Sequence, residues 1–442
     1  MEKAYKMHSV TLDESKCKGC INCIKRCPTE AIRVRNGKAY IIDDRCIDCG
    51  ECIRLCPHHA KKPIYDPLSV MENYKYTVAL PAPALYGQFN NLDDINIVLN
   101  GLIKLGFDDV FEVSRAAEIV SSVTKKLIEE KDFEGPMLSS ACPAVLRLIR
   151  IRFPELLDQV TPLAAPVDIA AAMAAEEAMK KTGLPREDIG IIFISPCAAK
   201  NTATKQPLRI TKSEVDAVVA IKKIYPPLVK AMDELEKTGE ELQDLSQSGV
   251  IGIGWANSGG EAAGSLMENY LAADGIENVI SVLEGLEDDK FRNLDFVELN
   301  ACFGGCVGGV LTVENPYVAK SRIKKLRKYL PVSCNRVSEI PKVALTDKEV
   351  EPSTVMSLSP NIKEAMEKLS ALEELAKSLP GLDCGSCGAP SCRALAEDVI
   401  RGYSRESDCI FKYREYLHGI MSEVSNLEGF MPSPFRRDNE EK

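Results

Sequence analysis

The stretch "NACFGGCVGG", Asn300 to Gly309, sets Cys302 and Cys306 three residues apart among Gly304, Gly305, Gly308 and Gly309. Glycine removes side chains and opens backbone conformations closed to other residues, so such a loop can fold tightly against an inorganic group. Two thiols held there read as ligands. Upstream, Cys142 in "SSACPAVLRLI" and Cys197 in "ISPCAAK" sit in similar turn-like places. Short apolar runs ("YTVALPAP", "DIGIIFISPC", "VDAVVAI", "GVIGIGWA", "VISVLEG") surround them and alternate with amphipathic stretches such as "SEVDAVVAIKKIYPPLVKAMDELEK" and "EAAGSLMENYLAA". This rhythm predicts a central α/β domain, parallel sheets flanked by helices, with functional loops at the strand ends. If the three cysteine loops converge, their four thiols hold one cube.

The chain has 442 residues, 17 cysteines and a formal net charge of -10. That length suits two or three domains, and the acidic balance argues against a nucleic-acid partner. The first residues, "MEKAYKMHSVTLDESKC", lack the apolar core of a secretory signal, and the run "LAAPVDIAAAMAAEEAM" is broken by Asp168. No membrane span and a cytoplasmic location are therefore expected. In a reducing compartment so many cysteines are better explained by metal ligation than by disulfides.

One internal repeat is clear. "CKGCINCIKRCP" supplies Cys17, Cys20, Cys23, Cys27 and Pro28, and "CIDCGECIRLCP" supplies Cys46, Cys49, Cys52, Cys56 and Pro57. This is the C-x2-C-x2-C-x3-C-P run of two-cluster ferredoxins, in which the fourth cysteine of each run serves the other cluster. One [4Fe-4S] cluster then takes Cys17, Cys20, Cys23 and Cys56, and the other takes Cys46, Cys49, Cys52 and Cys27. Zinc knuckles use ligands in two pairs and fit this spacing poorly. Between the runs, Asn36-Gly37 signals a hairpin, making this segment a ferredoxin-like α+β domain. His58 and His59 read as solvated loop residues because the cysteine set is complete.

Near the C-terminus, "DKEVEPSTVMSLSPN" reads as a linker and "IKEAMEKLSALEELAKSLP" as an amphipathic helix. Cys384, Cys387, Cys392 and Cys409 follow, three on a glycine-rich loop and the fourth after a helix of about four turns. This small helical unit resembles the [4Fe-4S] domain of corrinoid iron–sulfur proteins, although a zinc site would also be satisfied by four cysteines. Cys334 is left over and reads as a structural thiol. The domains expected are a two-cluster ferredoxin domain (1–66), the α/β domain (74–340), a linker (341–360), the C-terminal iron–sulfur domain (361–425) and a disordered tail (426–442).

The segments around Cys142, Cys197 and Cys302/Cys306 resemble, in order and separation, the three motifs that bind the H-cluster of [FeFe]-hydrogenases. "VALPAPA" and "NSGGEAAGS" resemble further family segments. The resemblance implies that these four cysteines hold a [4Fe-4S] cube and that Cys306 bridges to a diiron subsite carrying CO, cyanide and azadithiolate. It implies that Lys200 donates to a cyanide, and that Pro196, Ala82 and Pro83 line the subsite. It also exposes departures. Ala141 stands where the family's proton-relaying cysteine would be, Ser195 and Asn300 where methionines are usual, Ala84 for a serine and Ala203 for a glutamate. A methyl group carries no transferable proton.

That pattern resembles the sensory branch of the family. The expected function is heterolytic H2 activation with slow turnover, electron relay through three accessory [4Fe-4S] clusters, and hydrogen or redox sensing under anaerobic conditions. The implied partners are H2 and protons, hydrogenase maturation proteins, and a ferredoxin-like redox partner or separate signalling protein; a homodimer is left open. The alternative is a hydrogenase-related iron–sulfur assembly or electron-transfer protein without the diiron subsite.

Overall fold

A computed structural model describes residues 8–130 and 135–429. The chain forms two compact units. The larger takes the segment up to Asp13 together with Asp43–Val355, and the smaller takes Glu14–Ile42 together with the segment from Met356 onward.

The larger unit is built on two parallel sheets. The first orders its strands as Asp109–Val110, Tyr76–Pro81, Ile189–Ser195 and Ala217–Ala220. Both faces of a parallel sheet are covered, so its strands read as unbroken apolar runs whose alternate residues enter different cores. Val78, Leu80, Ile191 and Phe193 pack against helices Val113–Glu130 and Pro166–Thr182. Ala79, Ile192, Ile194 and Val219 pack on the other side with helices Ile95–Lys104 and Ile221–Thr238. The second sheet orders Tyr270–Asp274, Phe296–Asn300 and Met137–Leu138, with helices Pro143–Arg152 and Ile276–Glu287 against it. The site-bearing loops leave the C-terminal ends of the strands, as α/β sheets require of their ligand sites.

Three of the expected elements differ. "GVIGIGWA" is the helix Val250–Gly254 instead of a strand. The buried Glu118 carboxylate accepts the Gly249 N–H at 2.5 Å and the Gly252 N–H at 3.4 Å, satisfying donors that a strand would have paired. A Cβ on Gly252 would lie 2.3 Å from Ser114 O, so glycine admits the neighbouring helix. "VISVLEG" lies inside helix Ile276–Glu287, whose buried Ile276, Val279, Leu283 and Leu286 fall at helical spacing. "EAAGSLMENYLAA" is helical only over Gly260–Gly264; Leu266 takes φ 55° and the chain returns as strand Tyr270–Asp274.

The larger unit also pairs Val10–Leu12 with Lys61–Pro63 and carries the second cysteine run around the helical turn Glu51–Arg54. The start of the segment expected as a linker is pinned to it: Ala344 is fully buried, and its carbonyl accepts the Ala164 N–H at 2.9 Å.

In the smaller unit, Ile32–Arg35 and Lys38–Ile41 form the expected hairpin, with Asn36 at φ 51° and Gly37 at φ 70°. Helices Ile362–Ser378 and Cys392–Ile400 pack through Leu372, Leu375, Ala394 and Leu395. Cys392–Ile400 is 9 residues, shorter than the four turns expected, and the 3-10 turn Glu406–Asp408 completes the return to Cys409. The hairpin joins this core through Arg33, whose guanidinium donates to both Asp398 oxygens at 2.7 and 3.0 Å. A helix runs Ile410–Gly429, so the first residues of the tail expected to be disordered are helical, and 430–442 lie outside the described residues. Among the described residues no helix is long and apolar enough to cross a membrane.

Candidate iron–sulfur active site

Four loops converge on one cavity. Ala82 and Pro83 follow the strand Tyr76–Pro81, and Pro196, Cys197 and Lys200 follow Ile189–Ser195. Ala141 and Cys142 come after Met137–Leu138, and Asn300, Cys302 and Cys306 lie at or beyond the end of Phe296–Asn300. All of these residues line the cavity. Ser195 faces the turn instead: its hydroxyl accepts the Cys197 N–H at 3.1 Å and donates to the Cys197 carbonyl at 3.0 Å. Ala203 lines an adjoining cavity, and Ala84 is buried.

Local sequence explains the convergence. Cys142 and Cys197 are the N-cap residues of helices Pro143–Arg152 and Ala198–Lys205, where the helix dipole favours negative charge. Gly305 takes φ 88°, and a Cβ there would lie 2.3 Å from Ser258 N. A Cβ on Gly309 would lie 2.0 Å from Pro196 O, so only glycine lets the last loop rest on the Cys197 loop.

The electrostatics tie the thiols together. Burial pushes the Cys197 thiol well above its usual value, and the charges of Cys302 and Cys142 push it further. The Cys306 thiol is pushed up to about 12 by burial, against the pull of Lys200. Burial raises the Cys302 thiol also. Buried thiolates that repel one another form an unfavourable set alone and a suitable shell for a cluster whose irons neutralise them. The donor set therefore fits a thiolate-ligated cube.

Two further cavity residues escaped the sequence reading, Glu261 and Glu298. The Glu261 carboxyl is pushed up to about 8 by burial and by the neighbouring Glu298 charge. Ser139 donates to Glu261 Oε2 at 2.5 Å, and the Ala141 N–H donates to Ser139 Oγ at 3.2 Å. Glu298 accepts the N–H groups of Gly259 and Ala262 at 2.9 and 3.0 Å and the Asn300 side-chain amide at 2.7 Å. The available signals were an acid inside the apolar strand "FVELN" and another directly after the glycine pair.

The remaining cysteines lie elsewhere. Cys46, Cys49, Cys52 and Cys56 belong to the larger unit; Cys17, Cys20, Cys23, Cys27, Cys384, Cys387, Cys392 and Cys409 belong to the smaller. The Ala31 N–H donates to Cys27 Sγ and the Ala60 N–H to Cys56 Sγ, each at 3.2 Å, the same local turn in both runs. His58 and His59 are exposed. Cys334 is exposed, and its N–H donates to Glu118 at 2.8 Å.

Cysteine runs, a half-buried thiol quartet and parallel-sheet loops define an iron–sulfur protein of the oxidoreductase class. The sequence matches the family "Iron only hydrogenase large subunit, C-terminal domain" over residues 75–268 and 227–310, more than half of the chain. The chain belongs to that [FeFe]-hydrogenase family. It also matches a 4Fe-4S dicluster domain over residues 9–57 and an Fe-S cluster family over residues 379–411. It is 25% identical over 391 residues to Iron hydrogenase 1 of Clostridium pasteurianum, covering 72% of this chain and 68% of that one. It is 24% identical over 243 residues to the cytosolic Fe-S cluster assembly factor NAR1 of Scheffersomyces stipitis, covering 48% of this chain and 44% of that one. A solved [FeFe]-hydrogenase from Chlamydomonas reinhardtii superposes with a TM-score of 0.44 at 16% identity, covering 66% of this chain and 97% of that one.

Proposed function

We propose that this chain is a slow [FeFe]-hydrogenase in which Cys142, Cys197, Cys302 and Cys306 hold the cube of an H-cluster and Cys306 also bridges to its diiron subsite. The observation that carries this reading is the meeting of those four cysteines, Lys200 and a buried acid pair on one cavity in which the relay position is Ala141. When bound, the H-cluster supplies an iron centre for heterolytic H2 chemistry and one-electron exchange.

The chain's own residues supply the rest. Lys200 brings a cation to the cavity wall, suited to an anionic cyanide ligand, while Ala82, Pro83 and Pro196 present surfaces without competing donors. Glu261, with its pKa of about 8, holds a proton at neutral pH. Its carboxyl can accept or return that proton where Ala141 cannot. Burial raises the Glu298 carboxyl as well, against the pull of two backbone N–H groups and Asn300, and the charge of one acid favours the protonated form of the other. A carboxyl near the working pH is suited to passing a proton, so the slow turnover rests on the missing transferable proton at Ala141.

The two ferredoxin runs and the C-terminal cysteine set would hold [4Fe-4S] clusters, which would supply one-electron transfer away from the site. Within the smaller unit Gly385, between Cys384 and Cys387, lies against Ile21, between Cys20 and Cys23. That adjacency supports the C-terminal centre as the electron neighbour of the first run. Slow turnover beside a long relay suits hydrogen or redox sensing in the cytoplasm, read by a separate partner protein.

The similarity to the NAR1 assembly factor supports a second reading, an iron–sulfur protein with cubes and no diiron subsite. Infrared spectroscopy of anaerobically matured protein separates the two. The hydrogenase reading expects carbonyl and cyanide bands. Protein that holds its iron but shows no such bands would sink it in favour of the second reading.

A further inference from the structure

Arg54 lies between Cys52 and Cys56 in the second ferredoxin run, at the end of the helical turn Glu51–Arg54. Its guanidinium reaches out of that run. One nitrogen donates to Cys302 Sγ at 3.0 Å and to the Gly308 carbonyl at 2.8 Å. The other donates to the Glu51 carboxylate and, at 3.4 Å, to the Cys49 carbonyl. The run itself sits hard against the same loop: Gly50 takes φ 82°, and a Cβ on it would lie 2.4 Å from Val310 Cγ1.

We propose that Arg54 is a positioning residue that sets the reduction potential of the cube held by Cys302 and couples that cube to the adjacent ferredoxin centre. The argument is electrostatic. Reduction adds an electron to a cluster already surrounded by thiolates, and a hydrogen bond to a ligand sulfur stabilises the more negative state. A fixed cation close to that sulfur acts in the same direction. Both effects raise the cube's potential and make it the better acceptor for electrons released beside it. Arginine suits the position because its planar fork donates to two loops together, where a lysine ammonium is a single point charge. With its contact to the Cys49 carbonyl, the same side chain forms a hydrogen-bonded bridge between the second run and Cys302.

This inference rests on the proposed reading that Cys302 ligates a cube, and the test keeps the two apart. Protein carrying only its [4Fe-4S] clusters, with no diiron subsite installed, is titrated redox-potentiometrically and followed by electron paramagnetic resonance. The cube's signal is the one abolished in Cys142→Ala. Arg54→Gln should shift the cube's midpoint to lower potential while the C-terminal centre stays in place. An unmoved cube, or an equal shift of every centre, overturns the proposal. No signal lost in Cys142→Ala would instead count against the cube itself. Because Arg54→Gln can shed the cube altogether, unaltered protein labelled with heavy-nitrogen arginine gives an independent reading. Its reduced cube should show a hyperfine coupling to an arginine nitrogen that disappears in Arg54→Lys. Absence of that coupling in the unaltered protein also overturns the proposal.

Discussion

The Ser139 hydroxyl donates to Glu261 Oε2 at 2.5 Å, which ties the acid to the loop that carries Ala141 and Cys142. Glu261 is the one cavity acid raised to about 8, and the Glu298 charge contributes to that rise. Replacing it removes the exchangeable proton and keeps the shape. On the proposed hydrogenase reading, Glu261→Gln is expected to lower H2 turnover on the order of 10²-fold while leaving the carbonyl and cyanide bands in place. Glu298→Gln acts differently. With the neighbouring carboxyl replaced by a neutral amide, Glu261 loses its proton at lower pH, so on the proposed hydrogenase reading the alkaline fall in H2 evolution moves toward neutrality. A pH profile unchanged in Glu298→Gln would remove the pair from the proton path.

Ala141→Cys tests the same path from the opposite side. Ala141 lines the cavity with Glu261, and its backbone N–H donates to the Ser139 hydroxyl that Glu261 already uses. A thiol at this position should raise turnover in the unaltered background and rescue much of the loss in Glu261→Gln. Rescue in the double variant is the informative result, because residues in one relay are not additive. Equal fold-changes in both backgrounds would mean that the two side chains serve separate routes.

Much of this was legible locally, and the rest was not for identifiable reasons. The cysteine spacings, the hairpin at Asn36-Gly37 and the strands Tyr76–Pro81, Ile189–Ser195 and Ala217–Ala220 follow from neighbours in sequence. "GVIGIGWA" misled because its helix is stabilised by Glu118, more than 130 residues upstream. Glu261 and Glu298 lie far apart along the chain and acquire their chemistry only by burial together. Nothing in the cysteine run singles out Arg54, whose contact with Cys302 lies 248 residues away. Patterns of period two or 3.6 report local faces; they carry no information on which distant loop a side chain will meet.

The Arg33–Asp398 pair is a second such long-range feature, spanning 365 residues within the smaller unit. Arg33 is 0% exposed, and Asp398 also accepts from Arg35 at 2.9 Å. Removing one partner strands a buried charge, so Asp398→Ala should cost about 3–5 kcal/mol. Anaerobic denaturation should show the loss, and the double variant Arg33→Met/Asp398→Leu should recover part of it. If Asp398→Ala unfolds at the same denaturant concentration as the unaltered chain, the pair does not hold the hairpin to the C-terminal segment.

Gly309 supplies the sharpest steric test of the candidate site. Leu311 N–H donates to the Pro196 carbonyl at 3.0 Å, and a Cβ on Gly309 would lie 2.0 Å from that same oxygen. Gly309→Ala must therefore push the Cys302/Cys306 loop away from the Cys197 loop. The expected result is anaerobically reconstituted protein that lacks one cube's worth of iron and keeps its other clusters. Gly183→Ala is the control: that glycine takes φ 71° with nothing within 4 Å of the added carbon. It should lower stability by about 1–2 kcal/mol through backbone strain alone and leave the iron content intact. Full iron occupancy in Gly309→Ala would show that the cube does not depend on the contact between these two loops.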